Sequence, residues 1–264
     1  MRTIVCIKQV PETASEVTIN PEDNTLNREG IDVIINPFDT YAIEEALQLR
    51  ERFGGDVWVV TMGPSQAVKA LREALAMGVN EGVMLNDPLF AGSDTLATSY
   101  SLSKAIEKIG DFDLIICGKQ AIDGDTAQVG PGIATRLGLT QLTYVCKVAE
   151  VDPDKKRIVV HRMLEGCMEV VEGKLPALLS VVKDINEPRY PSLLGIRKAN
   201  KKELFHWTAA DIGAEGSRIG LGGSPTWVRK VFTPPERSGG EMLDADIENA
   251  TDQLVDRLST DGFV

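Results

Sequence analysis

A chain of 264 residues, 43% hydrophobic and 25% charged, has an ordinary globular composition and enough material for one main domain and an appendage. Its formal net charge of −11 argues against a general nucleic-acid binder, which needs a basic face to displace counterions. The four cysteines, Cys6, Cys117, Cys146 and Cys167, form no CxxC pair, so neither a zinc ribbon nor a disulfide framework is indicated.

Buried free thiols in a reducing compartment are the expectation. The opening MRTIVCIKQVPE lacks a small-residue cleavage site and no apolar stretch reaches membrane-spanning length, so a cytoplasmic chain without membrane insertion is expected. In chain order, TIVCI (3–7), DVWVVTM (56–62), EGVMLN (81–86) and FDLIIC (112–117) read as strands buried on both faces of a parallel sheet. Asp39–Arg52, Ser65–Met77, Ser93–Ile109 and Thr126–Leu137 lie between and after them with apolar residues at helical spacing. This alternation predicts an α/β fold, a doubly wound, mostly parallel sheet of Rossmann-like kind.

After Leu139, LTYVCKVAEVD, KRIVVHRM, CMEVV and PALLSVV read as closely spaced strands, which predicts an antiparallel extension. The stretch NEPRYPSLLGIRKANKK (186–202) reads as a turn leading into a projecting loop or short helix. Residues 1–203 are expected to form the nucleotide-binding domain. Residues 204–264, rich in glycine and poor in large apolar side chains, are expected to form an extended arm that docks on a partner chain and ends in an amphipathic helix from about 244 to 258.

In an open parallel sheet, ligands bind beyond the carboxyl ends of the strands, which selects the loops KQVPE (8–12), MGPS (62–65), NDPLFAGSDT (86–95) and GKQAIDGDTAQVGP (118–131). In the last, Gly118 permits close backbone approach, and Asp125 and Thr126 are candidate caps of a helix whose first N–H groups, around Ala127 to Val129, would favour a phosphate. Ser93, Asp94 and Thr95 are expected to start the preceding helix in the same way. Two helix starts aimed at one cleft suit a diphosphate. Asp123 with Asp125 is too small a carboxylate set for a metal site, and both the Walker pattern and GxGxxG are absent. With only His161 and His206, both in or beside strand-like runs, no hydrolytic centre is indicated, and any redox chemistry falls to a cofactor.

At these loops the sequence resembles the beta subunit of electron transfer flavoproteins. The resemblance is carried by CIKQVP, NPFDTYAIEEAL (36–47), TMGP, FAGSDTLAT (90–98), GKQAIDGDTAQVGP, LPALLSV and NEPRYPSL. It implies a heterodimer with a flavin-carrying alpha subunit. Within the family, members resembling GKQAIDDDxNQTGQ hold AMP as a structural ligand, whereas electron-bifurcating members resemble GKQAIDGDTAQVGP and hold a second FAD. With Gly124, Thr126, Ala127, Val129 and Pro131 at the distinguishing places, this chain resembles the second group. For that branch the resemblance implies FAD that oxidises NADH and passes electrons to two acceptors. One is a high-potential dehydrogenase or quinone reductase and the other a low-potential ferredoxin or flavodoxin. NADH-oxidising activity is expected only with the partner subunit.

Carried over residue by residue, the implied cofactor contacts are Cys6, Lys8, Asn36, Asp39, Met62, Gly63, Asp94, Thr95, Gly118, Gln120, Asp123, Asp125, Thr126, Gln128, Val129 and Gly130. No catalytic side chain and no metal are implied. The loop from Pro191 to Lys198 resembles the acceptor-docking element, with Leu193 as apolar anchor flanked by Arg197 and Lys198. Met163 stands where AMP-type members carry a glutamate associated with movement of the flavin domain. An AMP-holding beta subunit is the alternative, and an ATP-binding or ATP-hydrolysing protein the remote one.

Overall fold

Runs of consecutive Val and Ile become strands here because both faces of the sheet are covered. Alternate side chains of β1 (Arg2–Cys6) enter different cores, Val5 on one side and Ile4 and Cys6 on the other. The structure, a computed structural model, describes residues 1–12, 18–19, 26–27, 32–229, 239–240, 242–243 and 246–264. After β1 come β2 (Gln9–Pro11), β3 (Thr18–Ile19), β4 (Leu26–Asn27), β5 (Val33–Ile35), α1 (Pro37–Phe53), β6 (Asp56–Met62), α2 (Val68–Met77), β7 (Glu81–Leu85), α3 (Thr95–Ile109), β8 (Leu114–Gly118) and α4 (Val129–Leu137). They are followed by β9 (Thr140–Asp152), β10 (Arg157–Leu164), β11 (Cys167–Lys174), β12 (Ala177–Val181), α5 (Leu193–Lys201), β13 (Phe205–Trp207) and α6 (Ile247–Thr260).

Nine strands form one sheet in the order β11-β10-β9-β12-β8-β1-β6-β7-β13, parallel from β9 to β13. The antiparallel extension is the β9-β10-β11 meander. The run at 176–182, expected among the antiparallel strands, instead pairs parallel with both β8 and β9, because the chain returns to the middle of the sheet to fill the gap between them. Helices α1 and α2 cover one face and α3 and α4 the other, which makes the sheet doubly wound.

By contacts the chain divides into two units, Met1–Thr18 with Leu26–Arg229, and Ile19–Thr25 with Lys230–Val264. The division differs from the expected boundary at 203. β13 joins the sheet edge beside β7, Phe205 stacks on Trp58 with ring centroids 5.5 Å apart, and Ala209, Ile212 and Ile219 are buried against the α3 side. These few apolar residues need no core of their own because they complete an existing one. In the second unit α6 begins at Ile247, capped by Asp246, and none of its residues is buried. Positions 244 and 245 of the expected helix, and much of the arm between 230 and 245, lie outside the described residues. Cys6, Cys117 and Cys146 are buried free thiols as expected, whereas Cys167 is exposed on the edge strand β11. No described helix is long and apolar enough to cross a membrane.

Candidate functional site: a cleft at the switch point of the sheet

From β1 the chain winds outward through β6 and β7, then α3 carries it back to β8 on the other flank of β1. Loops leaving the carboxyl ends of β1 and β8 therefore lie on either side of the switch point, where an open sheet of this kind places its ligand. Polar contacts tie these loops together. Lys8 Nζ meets both carboxylate oxygens of Asp123 at 2.8 and 2.7 Å. Asp39, on the first turn of α1, accepts from the Lys8 N–H through Oδ2 at 2.7 Å and from the Gly118 N–H through Oδ1 at 3.1 Å. Asn36 donates to the Gln120 carbonyl at 2.8 Å and accepts from the Ile122 N–H at 3.1 Å.

Asp39 and Asn36 are buried, so they form the floor beneath the loops. Burial pushes the Asp39 carboxyl up to about 7, against the pull of its hydrogen bonds and of Lys8. Gly118 is required by this floor: a Cβ there would lie 2.4 Å from Asp39 Oδ1 and 2.6 Å from Phe38 Cβ. Cys6 and Cys117 are neighbours in register on β1 and β8. Their mutual hydrogen bond and burial hold the Cys117 thiol well above its ordinary value, hence neutral.

The loop after β8 starts its helix later than the sequence suggests. α4 begins at Val129 with Gln128 as its cap, because Asp125 and Ala127 adopt left-handed backbone angles of φ 52° and 53°. Asp125 and Thr126 are therefore not caps, and Asp125 Oδ1 instead accepts from Gln120 Nε2 at 2.6 Å. The Gln128 side chain does not close the helix either, since its Oε1 accepts from Thr95 Oγ1 at 2.9 Å. That bond brings the starts of α3 and α4 together. It leaves the first amides of α4, Val129 and Gly130, without a side-chain cap.

The start of α3 is different. Asp94 caps it, accepting from the Leu96 and Ala97 N–H groups, and its other oxygen accepts from Thr226 N and Oγ1 at 3.1 and 2.8 Å. Burial alone would push the Asp94 carboxyl up, but these hydrogen bonds outweigh it and hold its pKa below the usual carboxylate range. Of the two helix starts, that of α3 carries a side-chain cap whereas that of α4 leaves its first amides uncapped for an anion.

Met62 and Gly63 lie half-buried at the end of β6, where the Gly63 N–H bonds the Leu85 carbonyl at 3.1 Å. Lys8, Thr95, Gly118, Gln120, Asp123, Asp125 and Gln128 are joined by the contacts above; Thr126, Val129 and Gly130 belong to the same loop and helix start. Leu193, Arg197 and Lys198 stand apart on α5, all exposed. His161 and His206 lie in strands β10 and β13, remote in the chain from every one of these loops. Periodicity gave no sign of Ser224 and Thr226, which reach back over 130 and 132 positions to Asp94. Lys119 also went unnoticed: its ammonium lies 5.9 Å from the Phe38 ring and 5.2 Å from the Tyr144 ring.

This geometry defines a doubly wound α/β protein whose candidate site is the set of loops at its switch point. Residues 23–212 match the electron transfer flavoprotein domain, and the chain belongs to the electron transfer flavoprotein beta-subunit family. It is 51% identical over 261 residues to the electron transfer flavoprotein subunit beta of Thermoanaerobacterium thermosaccharolyticum, covering 98% of each chain. It is 47% identical over 263 residues to Protein FixA of Bradyrhizobium diazoefficiens, covering 98% of this chain and 91% of that one. Subunit CarD of the caffeyl-CoA reductase-Etf complex of Acetobacterium woodii is 46% identical over 260 residues, with 98% of each covered. Beta subunits of this family are electron-transport flavoprotein components that pair with an alpha subunit.

Proposed function

We propose that the chain is the beta subunit of an electron-bifurcating electron transfer flavoprotein and that its cleft holds FAD. The observation that carries this reading is the loop between β8 and α4. Gly124 has nothing within 4 Å of where a Cβ would lie, and the adjacent helix start carries no capping side chain. An extended dianionic cofactor needs such room and uncapped amides.

The four cleft carboxylates, Asp39, Asp94, Asp123 and Asp125, fit the same reading because each is already engaged by protein donors. Val129 and Gly130 amides would hold phosphate, and Thr95 and Gln128 would orient it. Lys8 with Asp123 would hold the two loops together over the buried Asp39 and Asn36. Bound there, FAD supplies two-electron oxidation of NADH and delivery of single electrons to a high-potential dehydrogenase or quinone reductase and to a ferredoxin or flavodoxin. The arm beyond residue 229 serves as the docking segment for the alpha subunit. Exposed Leu193 on α5, with Arg197 and Lys198, serves as the contact for a protein acceptor.

Purification with the alpha subunit tests the reading. About two flavins per heterodimer and oxidation of NADH are expected. One flavin with AMP in the second site, and no NADH oxidation, would identify an AMP-type beta subunit and refute the proposal.

A further inference from the structure

The segment 186–202 pairs an outward apolar display with firm anchorage. Tyr190, Leu193, Leu194 and Ile196 are 94%, 87%, 70% and 44% exposed. Side chains of this kind on a free loop turn inward to escape water. Here the two ends of the segment are tied to the scaffold, by Asn186 and Arg189 at one end and by Ser192 and Lys202 at the other. Arg189 spans two carboxylates on α1. Its Nε and Nη2 bond Glu44 at 2.8 and 3.0 Å, its Nη1 and Nη2 bond Glu51 at 2.6 and 3.3 Å, and its backbone N–H bonds Glu44 at 3.1 Å. Glu44 and Glu51 are two helical turns apart, so they share a face of α1. Asn186 Nδ2 bonds the Tyr41 carbonyl and Glu45, both at 3.1 Å.

The far end is held as well. Ser192 caps α5 at the Gly195 N–H, and a Cβ on Gly195 would lie 2.2 Å from the Ala76 carbonyl oxygen, so the helix rests flush on α2. The Arg72 guanidinium donates to the carbonyls of Ala199 and Lys202, and Lys202 Nζ meets Glu81 at 2.6 Å.

We propose that Arg189 is the positioning residue of a preorganised acceptor-docking surface, a role that rests on the docking reading given above. Its guanidinium lies between two carboxylates, so the cluster carries a net negative charge and is a poor docking cation for an acidic partner. Its planar fork bridges Glu44 and Glu51 at once, which an ammonium point charge does not reproduce. Holding the four apolar side chains outward before the acceptor arrives removes the entropy cost of ordering them on binding.

The test uses the photoreduced heterodimer and an acyl-CoA dehydrogenase as acceptor, with transfer followed by flavin absorbance. Ferricyanide, which needs no docking surface, serves as the second acceptor. Arg189→Gln is expected to raise the half-saturating dehydrogenase concentration about tenfold, with the limiting rate, ferricyanide rate and flavin content unchanged. Arg189→Lys should recover less than half of that loss, and Glu51→Gln, on an exposed side chain, should raise the same concentration about threefold. Full recovery by Arg189→Lys, or no rise with Glu51→Gln, would show Arg189 acting as a simple charge and overturn the positioning role. Leu193→Ala separates the two readings. If it raises the half-saturating concentration while Arg189→Gln does not, only the positioning role falls; if it has no effect, the docking reading falls and the positioning role with it.

Discussion

Asp39→Ala is expected to destabilise the folded chain by about 2–4 kcal/mol at about pH 5, because the Lys8 and Gly118 amides both lose their acceptor. The loss should shrink as the pH rises. The folded-state value of about 7 lies above the unfolded value of 3.8, so the native state binds this proton more tightly. Stability contributed by the bound proton is fully present below about pH 4, falls as pH rises toward 7 and stays constant above it. The wild-type chain at about pH 8 therefore carries a burial cost, of order 4 kcal/mol, that the alanine variant lacks. Urea denaturation of both proteins at the two pH values measures the difference. Equal losses at both would refute the upward shift of the Asp39 carboxyl and leave only its hydrogen bonds.

Gly124→Asp combined with Val129→Thr is expected to weaken retention of FAD about tenfold while changing stability by less than about 0.5 kcal/mol. The fold should tolerate the aspartate, because a Cβ at position 124 meets nothing within 4 Å and the residue is exposed. Its effect should fall on the ligand: a third consecutive carboxylate joins Asp123 and Asp125 beside the phosphate-facing amides. Flavin absorbance after gel filtration of the heterodimer, with a thermal melt as control, reads both quantities. Unchanged flavin content would remove this loop from the cofactor site. A lowered melting temperature with lost flavin would mean that the loop is structural.

Much of the fold was legible because burial on both faces demands unbroken apolar runs. TIVCI, DVWVVTM and EGVMLN therefore identified β1, β6 and β7 to within one or two residues. The exceptions share one cause, namely that pairing direction and partners are decided between segments distant in the chain. β12 looked like one more strand of a meander, but β8 and β9 left an open place between them that only a parallel strand could fill. The segment after residue 203 looked coreless, but its Ala209, Ile212 and Ile219 complete a core built by other elements.

For the candidate site, residue types alone identified the four loops after the strands and the tendency of Gly118–Pro131 to turn into a helix start. Composition likewise argued against a general nucleic-acid binder, and the motif matches pointed to the family. Which residue begins α4, and which carboxylates are free, was decided only by tertiary contacts. Asp125 reads as a cap, yet Gln120 claims its carboxylate and a left-handed backbone turns it away from the helix. Asp94 reads as one cap among three candidates, yet its second oxygen holds Thr226 from 132 residues further on. A cap is a local bond that neighbouring sequence can suggest. Whether its oxygens, or the amides beside them, remain available to a ligand depends on what distant parts of the chain bring against them.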